Sequence, residues 1–307
     1  MKMFVLVLLI SVLASCASMP PVVKDRTDPV ATDPEFDPAY PPRMASLKFE
    51  IAGSRLHGFL YQAAGPGPHP TVVLLHGFPG YEKNGDLAQA MRRAGTNVVT
   101  FSYRGTWGSE GTLNGRSPLE DVEHVIARIR EPQWAAEYHS DPAKIGIVGH
   151  SFGGAVGALI TMRDQGITCY AHLAGSDVGF DAGALRTSTE LRGQVTKSLE
   201  TLMVSSGGPV NGNASDVVES TMAAADYAGS LVAGASDLAT RPLLLAAALR
   251  DESVSKSVYH DPLVAALREA GAKRLTEVVY DDDHAFSAHR VTLGRKLVEW
   301  QREQCWH

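Results

Sequence analysis

The sequence predicts an α/β protein built on a mostly parallel, doubly wound sheet, with helices on both faces and a helical cap inserted late in the chain. Continuous apolar runs at 71–76 (TVVLLH), 97–103 and 144–148 mark strands buried on both faces. Stretches with helical apolar spacing separate them, and strands alternating with helices fold into parallel sheets. One connection, residues 176–240, is far longer than an ordinary link.

In chain order, residues 16–43 hold Pro20, Pro21, Pro29, Pro34, Pro38, Pro41 and Pro42 and read as an extended linker. Residues 44–307 then form one domain. Two β-like segments, 47–51 and 56–61, divided by a turn at Gly53-Ser54, suggest an opening antiparallel pair. Strand 71–76 runs into a Gly/Pro loop and a helical stretch over 86–94, and 97–103 is the next strand. Ser117-Pro118-Leu119-Glu120 combines a capping-box pattern with proline at the first helical position. Val122, Val125, Ile126 and Ile129 follow at helical spacing. Strand 144–148 is succeeded by a helix from Ser151 and a strand over 168–173. Within 176–240, Thr187-Ser188-Thr189-Glu190 offers another capping box and a helix follows Ser215, so the insertion is expected to form a helical cap. The last part supplies a strand at 241–249, a helix opened by Asp261-Pro262 and ending near Gly271, and a strand at 275–280. A final helix carries Leu293, Leu297 and Trp300 on one face.

The N-terminus places Lys2 before an apolar run over 3–13 and then a small-residue site. That run is too short to span a bilayer and reads as the core of a signal peptide covering 1–15. Leu13-Ala14-Ser15-Cys16 resembles the lipobox of bacterial lipoproteins, which implies cleavage before Cys16 and lipid attachment to its thiol; the alternative is a secretory signal with an incidental cysteine. Ala17 after the cysteine, in place of aspartate, implies an outer-membrane anchor facing the periplasm. With Cys16 given to lipid, Cys169 and Cys305 remain and are expected to be unpaired. No cysteine has metal-ligand spacing, and neither a metal nor a cofactor is expected. A net charge of -6 with no Lys/Arg run gives no footprint for nucleic acid, so the expected partner is a small molecule or short peptide.

Gly149-His150-Ser151-Phe152-Gly153 matches G-x-S-x-G between an apolar strand and an apolar-periodic helix. Such a strand–turn–helix holds the serine in a strained conformation and presents its hydroxyl at the carboxyl edge of the sheet, above a helix N-terminus that favours a developing anion. Ser151 is the candidate nucleophile. Its base should be an imidazole at the same edge, and His284, in the loop after the last strand, is the candidate. His289 and His260 are expected on solvated surfaces, and His124 lies in a charged helix. The acid that orients the base should also end a strand. Asp251 is the candidate, with Glu252 an adjacent rival and Asp281, Asp282 and Asp283 lying near His284. Oxyanion donors are expected in the Phe152 N–H and, from the loop His76-Gly77-Phe78-Pro79-Gly80, the Phe78 N–H. His76 is expected to structure that loop.

With these residues in view, the chain resembles the α/β-hydrolase superfamily, in particular bacterial relatives of dienelactone hydrolase and the catalytic domain of prolyl-oligopeptidase-type peptidases. The resemblance spans residues 47–300 and rests on HGFPG at 76–80, FSYRGTWGSEG at 101–111, GHSFGG at 149–154 and the order Ser, Asp, His. It implies an α/β-hydrolase fold, a Ser–His–Asp triad and a structural role for Arg104. Dienelactone hydrolases have cysteine where this chain has Ser151, and haloalkane dehalogenases have aspartate there. The resemblance therefore implies acyl transfer to water, on an ester or on a peptide; a non-catalytic, lipid-anchored binding protein on the same fold is the reading of a different class.

Overall fold

A computed structural model describes residues 28–224 and 228–306, so the expected signal peptide and Cys16 lie outside the described residues. The strands are β1 (Arg43–Ile51), β2 (Ser54–Gln62), β3 (His69–Leu75), β4 (Asn97–Phe101), β5 (Ser140–His150), β6 (Ile167–Leu173), β7 (Leu243–Ala248) and β8 (Leu275–Tyr280). They form one eight-stranded sheet in the order β1-β2-β4-β3-β5-β6-β7-β8. β1 pairs antiparallel with β2 and β2 with β4, and all remaining pairs are parallel. The turn between β1 and β2 is Ala52-Gly53, one residue earlier than expected. Both residues have positive φ (49° and 77°), the conformation that lets a two-residue hairpin follow the strand twist.

Ten α-helices lie among the described residues: α1 (Gly85–Arg93), α2 (Ser117–Ile129), α3 (Pro132–Tyr138), α4 (Phe152–Arg163), α5 (Val178–Thr187), α6 (Thr189–Glu200), α7 (Ala214–Ala224), α8 (Ala235–Leu238), α9 (Asp261–Glu269) and α10 (Arg290–Trp300). Apolar burial divides into two clusters. Leu87 and Met91 of α1 join Leu293, Leu297 and Trp300 of α10 on one face of the sheet. Side chains of α2, α3, α4 and α9 fill the other, in a cluster that continues into α5 to α8. The middle strands are accordingly buried over most of their length, and Leu-Leu-Leu-Ala-Ala-Ala of β7 is buried at every position.

Several local expectations are corrected. Ser117 does not form a capping box with Glu120: the Asn114 side chain accepts from the Arg116 and Ser117 amides, while Glu120 reaches Arg104. In the insertion, Ser188 caps α6 by accepting from Leu191 N–H at 3.1 Å, one residue later than the Thr187 pattern suggested. Cys169 and Cys305 are joined in a disulfide with Cα atoms 5.3 Å apart. A π-helical turn over Gln301–Cys305 continues α10 and brings Cys305 beside β6, a tertiary placement with no local sign in residues 136 positions apart. Part of the linker is also docked, with Pro29 buried, its carbonyl accepting from Arg93, and Asp28 bonded to Arg295.

Candidate active site

Four chain segments reach one site at the carboxyl edge of the sheet, after β3, β5, β7 and β8. Ser151, between β5 and α4, has φ 57° and ψ −125°, a conformation rarely tolerated by a residue with a side chain. Its backbone is pinned by N–H donation to Leu173 O at 3.0 Å and by acceptance from Ser176 N–H at 3.1 Å. The flanking glycines are required by contact: a Cβ on Gly149 would lie 2.2 Å from Gly153 O, and one on Gly153 would lie 2.5 Å from Leu75 O. The G-x-S-x-G spacing is thus the spacing at which the turn can close onto its helix and onto β3.

Asp251 follows β7 and His284 follows β8. Their side chains meet, His284 Nδ1 lying 2.6 Å from Asp251 Oδ2, with the Asp251 side chain fully buried and that of His284 27% exposed. Asp251 Oδ1 accepts from Ser253 N–H at 2.9 Å and Val254 N–H at 2.8 Å, which fixes the carboxylate and leaves Oδ2 for the ring. The carboxylate holds the ring proton on Nδ1 and so leaves Nε2 as the basic nitrogen. Ser151 Oγ makes no hydrogen bond to His284 among the described residues; a hydrogen bond between nucleophile and base commonly tightens only when substrate binds.

The rival carboxylates are placed elsewhere. Glu252 is exposed, and Asp281 pairs with Arg250 at 3.0 Å. Asp282 and Asp283 build the His284 loop, accepting from amides of residues 283, 285, 287 and 288, and Asp282 also holds His289 Nδ1 at 2.9 Å. His289 therefore fastens the loop at the N-cap of α10. His260, expected at a solvated surface, is buried and contacts Glu277 at 3.2 Å, because the π-helical turn before α9 folds it toward β8.

His150 is a site residue that the sequence reading passed over as the variable position of the motif. Its Nε2–H donates to the His284 carbonyl at 2.9 Å, and the two rings lie 4.9 Å apart. Burial lowers its pKa to about 4, so the ring stays neutral and keeps this tautomer, with Nδ1 unpartnered. The neighbour of the candidate nucleophile thereby anchors the loop of the candidate base.

His76 closes β3 and turns inward. Its Nδ1 donates to Gly77 O at 2.7 Å, its carbonyl accepts from Tyr103 Oη at 3.2 Å, and burial lowers its pKa to about 4. The Phe78 and Phe152 amides donate no hydrogen bond within the described residues, and their rings meet edge to face with centroids 6.5 Å apart. Arg104 ties its loop to α2, its Nε bonding Asp121 at 2.6 Å and its terminal nitrogen Glu120 at 2.6 Å.

Above Ser151 opens a cavity of about 500 Å³, lined by Phe78, Ser151 and Phe152 from the sheet edge and by α5, α6 and α7 of the insertion. Leu185, Leu191, Val195, Leu199, Val217 and Val218 make most of its wall apolar. Its size and character suit a small organic molecule.

A family model described as alpha/beta hydrolase family matches residues 72–298. The chain belongs to the alpha/beta hydrolase family. Among curated relatives, this α/β hydrolase is 34% identical over 105 residues to an uncharacterized 31.7 kDa protein in the traX-finO intergenic region of Escherichia coli, covering 33% of this chain and 35% of that one. It is 33% identical over 107 residues to the lysophosphatidylserine lipase ABHD12 of Bos taurus, covering 34% and 25%. The chain thus spans about a third or less of the length of these relatives. Among solved structures, the acylaminoacyl peptidase of Pyrococcus horikoshii superposes with a TM-score of 0.63 at 17% identity, over 87% of this chain and 42% of that one, a likeness of fold.

Proposed function

We propose that this α/β hydrolase is a serine hydrolase that cleaves a carboxylic ester through an acyl-enzyme. The observation that carries the reading is the 2.6 Å contact of His284 Nδ1 with buried Asp251, at the sheet edge that also bears the strained Ser151. Ser151 Oγ attacks the ester carbonyl while its proton passes to His284 Nε2, and Asp251 stabilises the imidazolium that forms. The oxyanion is bound by the unengaged Phe78 and Phe152 amides, the latter at the N-terminus of α4. Collapse expels the alcohol with the proton from His284. Water, deprotonated by the same nitrogen, then attacks the acyl-enzyme and releases the acid and free Ser151. The apolar cavity wall favours an ester with a hydrocarbon portion over a polar peptide.

Fluorophosphonate labelling of the mature protein beside Ser151→Ala tests this reading. Wild type alone is expected to label, with ester turnover falling about 10⁶-fold in the mutant. Equal labelling or equal turnover of the two proteins refutes it.

The proposed location is the bacterial cell envelope, through a lipid on Cys16. The Cys169–Cys305 disulfide supports an exported, oxidising setting. Tritiated palmitate is expected to enter the wild type and not Cys16→Ser; equal incorporation rules out the anchor.

A further inference from the structure

We propose that the cavity above Ser151 selects substrates that carry a positively charged amine, held by Asp181 of α5. The inference rests on the serine hydrolase reading for its turnover and on the cavity alone for its binding. Among the described residues, Asp181 is the only charged side chain lining a cavity whose remaining wall is largely apolar. It has one hydrogen-bond partner there: Tyr259, from the turn before α9, donates its hydroxyl to Oδ1 at 2.7 Å, and Oδ2 accepts nothing. No cation among the described residues compensates it. The charged neighbour it feels is Asp177, the N-cap of α5, which is of like sign and is itself engaged by the Phe180 and Leu231 amides.

A carboxylate in an apolar wall without a counter-ion is costly, and a ligand bringing the missing charge recovers that cost as binding. If Asp181 served only to fasten α5 to the 256–260 turn, a neutral acceptor would satisfy Tyr259 as well, and Oδ2 would have no use. The aromatic surroundings fit the same ligand class. Phe180 and Tyr259 meet edge to face at 5.5 Å beside the carboxylate, and both line the cavity. Aromatic rings next to a carboxylate are favourable company for an ammonium group. A substrate with an ammonium at one end, a hydrocarbon stretch between and the scissile carbonyl at Ser151 would match the wall along its length.

Burial raises the Asp181 pKa to about 6, opposed by the Tyr259 hydrogen bond and reinforced by Asp177. The carboxylate is therefore ionised above that pH and neutral below it. Preference for an ammonium substrate over an uncharged analogue should accordingly be full above about pH 6 and fade as pH falls through it. Any pH effect on the chemical step common to the two substrates cancels in the ratio.

The test uses the p-nitrophenyl esters of ε-aminocaproic acid and heptanoic acid, which differ by an ammonium in place of a methyl. Wild type is expected to favour the aminocaproate in kcat/KM, and Asp181→Asn to lower the ratio about tenfold or more. Tyr259→Phe, which cuts the tie but keeps the charge, is expected to retain the preference. A wild type that favours heptanoate, a ratio unmoved by Asp181→Asn, or a ratio lost equally in Tyr259→Phe overturns the proposal. Calorimetry of hexylammonium against hexanol on Ser151→Ala reads the same selectivity without turnover. Preferential hexylammonium binding that Asp181→Asn removes supports the amine site even if Ser151 is not the nucleophile, and equal binding of the two probes refutes it.

Discussion

Ser151, Asp251 and His284 sit on backbone held by the sheet, whereas Val218, Asp181 and Tyr259 reach the cavity above Ser151 through a helical insertion and the turn before α9. At the sheet edge the three residues and their loops are held by several independent bonds. Two amides hold Asp251, His150 holds the His284 carbonyl, and Asp282 and Asp283 fold the loop between β8 and α10. In the insertion, side chains line the cavity by packing, and its one charged group has a single tether. The difference separates two tasks. A base must be oriented within a fraction of an ångström to serve any substrate, while a wall of valines and leucines need only match what enters. Changes at the edge should therefore lower turnover of every ester alike, and changes in the insertion should re-rank the esters.

Asp251→Asn should produce the largest effect. The amide oxygen would take over the bonds from the Ser253 and Val254 amides, turning an NH₂ toward His284 Nδ1 and forcing the ring proton onto Nε2. The base would then face Ser151 in the wrong tautomer, a defect worth about 10⁴-fold in kcat in the familiar triad, with folding intact. Steady-state kinetics on short and long esters checks this. A loss confined to one ester would place Asp251 in recognition and break the division between edge and wall.

The disulfide gives an intermediate effect of another kind. Replacing Cys169 and Cys305 together by serine should lower unfolding stability by about 2–4 kcal/mol, because the bond constrains a long loop of the unfolded chain. It ties β6 to the C-terminal turn, remote from the edge loops, so ester ranking should be preserved. Denaturant titration and an ester panel read the two quantities separately. A change of ranking would show that the insertion senses the far end of the sheet.

The same contrast explains what was legible in the sequence. The strands β3, β4 and the inner half of β5 announced themselves because burial on both faces demands unbroken apolar runs, and β5 followed by glycine-flanked Ser151 is a local pattern. Asp251 and His284 could be chosen because parallel strands deliver their carboxyl ends to one edge. His150 was missed because the motif leaves its position free, although its ring anchors the backbone of the candidate base His284 across 134 residues. The pairing of Cys169 with Cys305 and that of Asp181 with Tyr259 were equally hidden, since each joins elements distant in the chain. Within the insertion, capping patterns revealed helices while the chemistry of the cavity emerged only where those helices converge.

The smallest effect tests the wall itself. Val218 of α7 is 4% exposed and lines the cavity, so a longer hydrocarbon portion of the substrate displaces more apolar surface from water as it advances along this wall. A buried methylene is worth about 0.8 kcal/mol, which corresponds to about a fourfold rise in kcat/KM per added carbon when the gain is held in the transition state. Over a homologous series of p-nitrophenyl esters the wild type should climb at that rate until the cavity is filled. Val218→Phe occupies part of the space, so its climb should stop at a shorter chain while the slope before that point is retained. An unchanged stopping point would mean that the hydrocarbon lies along another wall, toward Leu185 and Leu199, or leaves by the cavity mouth. A lower rate on every chain length, with no shift in the optimum, would mean that α7 positions the sheet-edge residues and that the insertion shares the task assigned here to the edge.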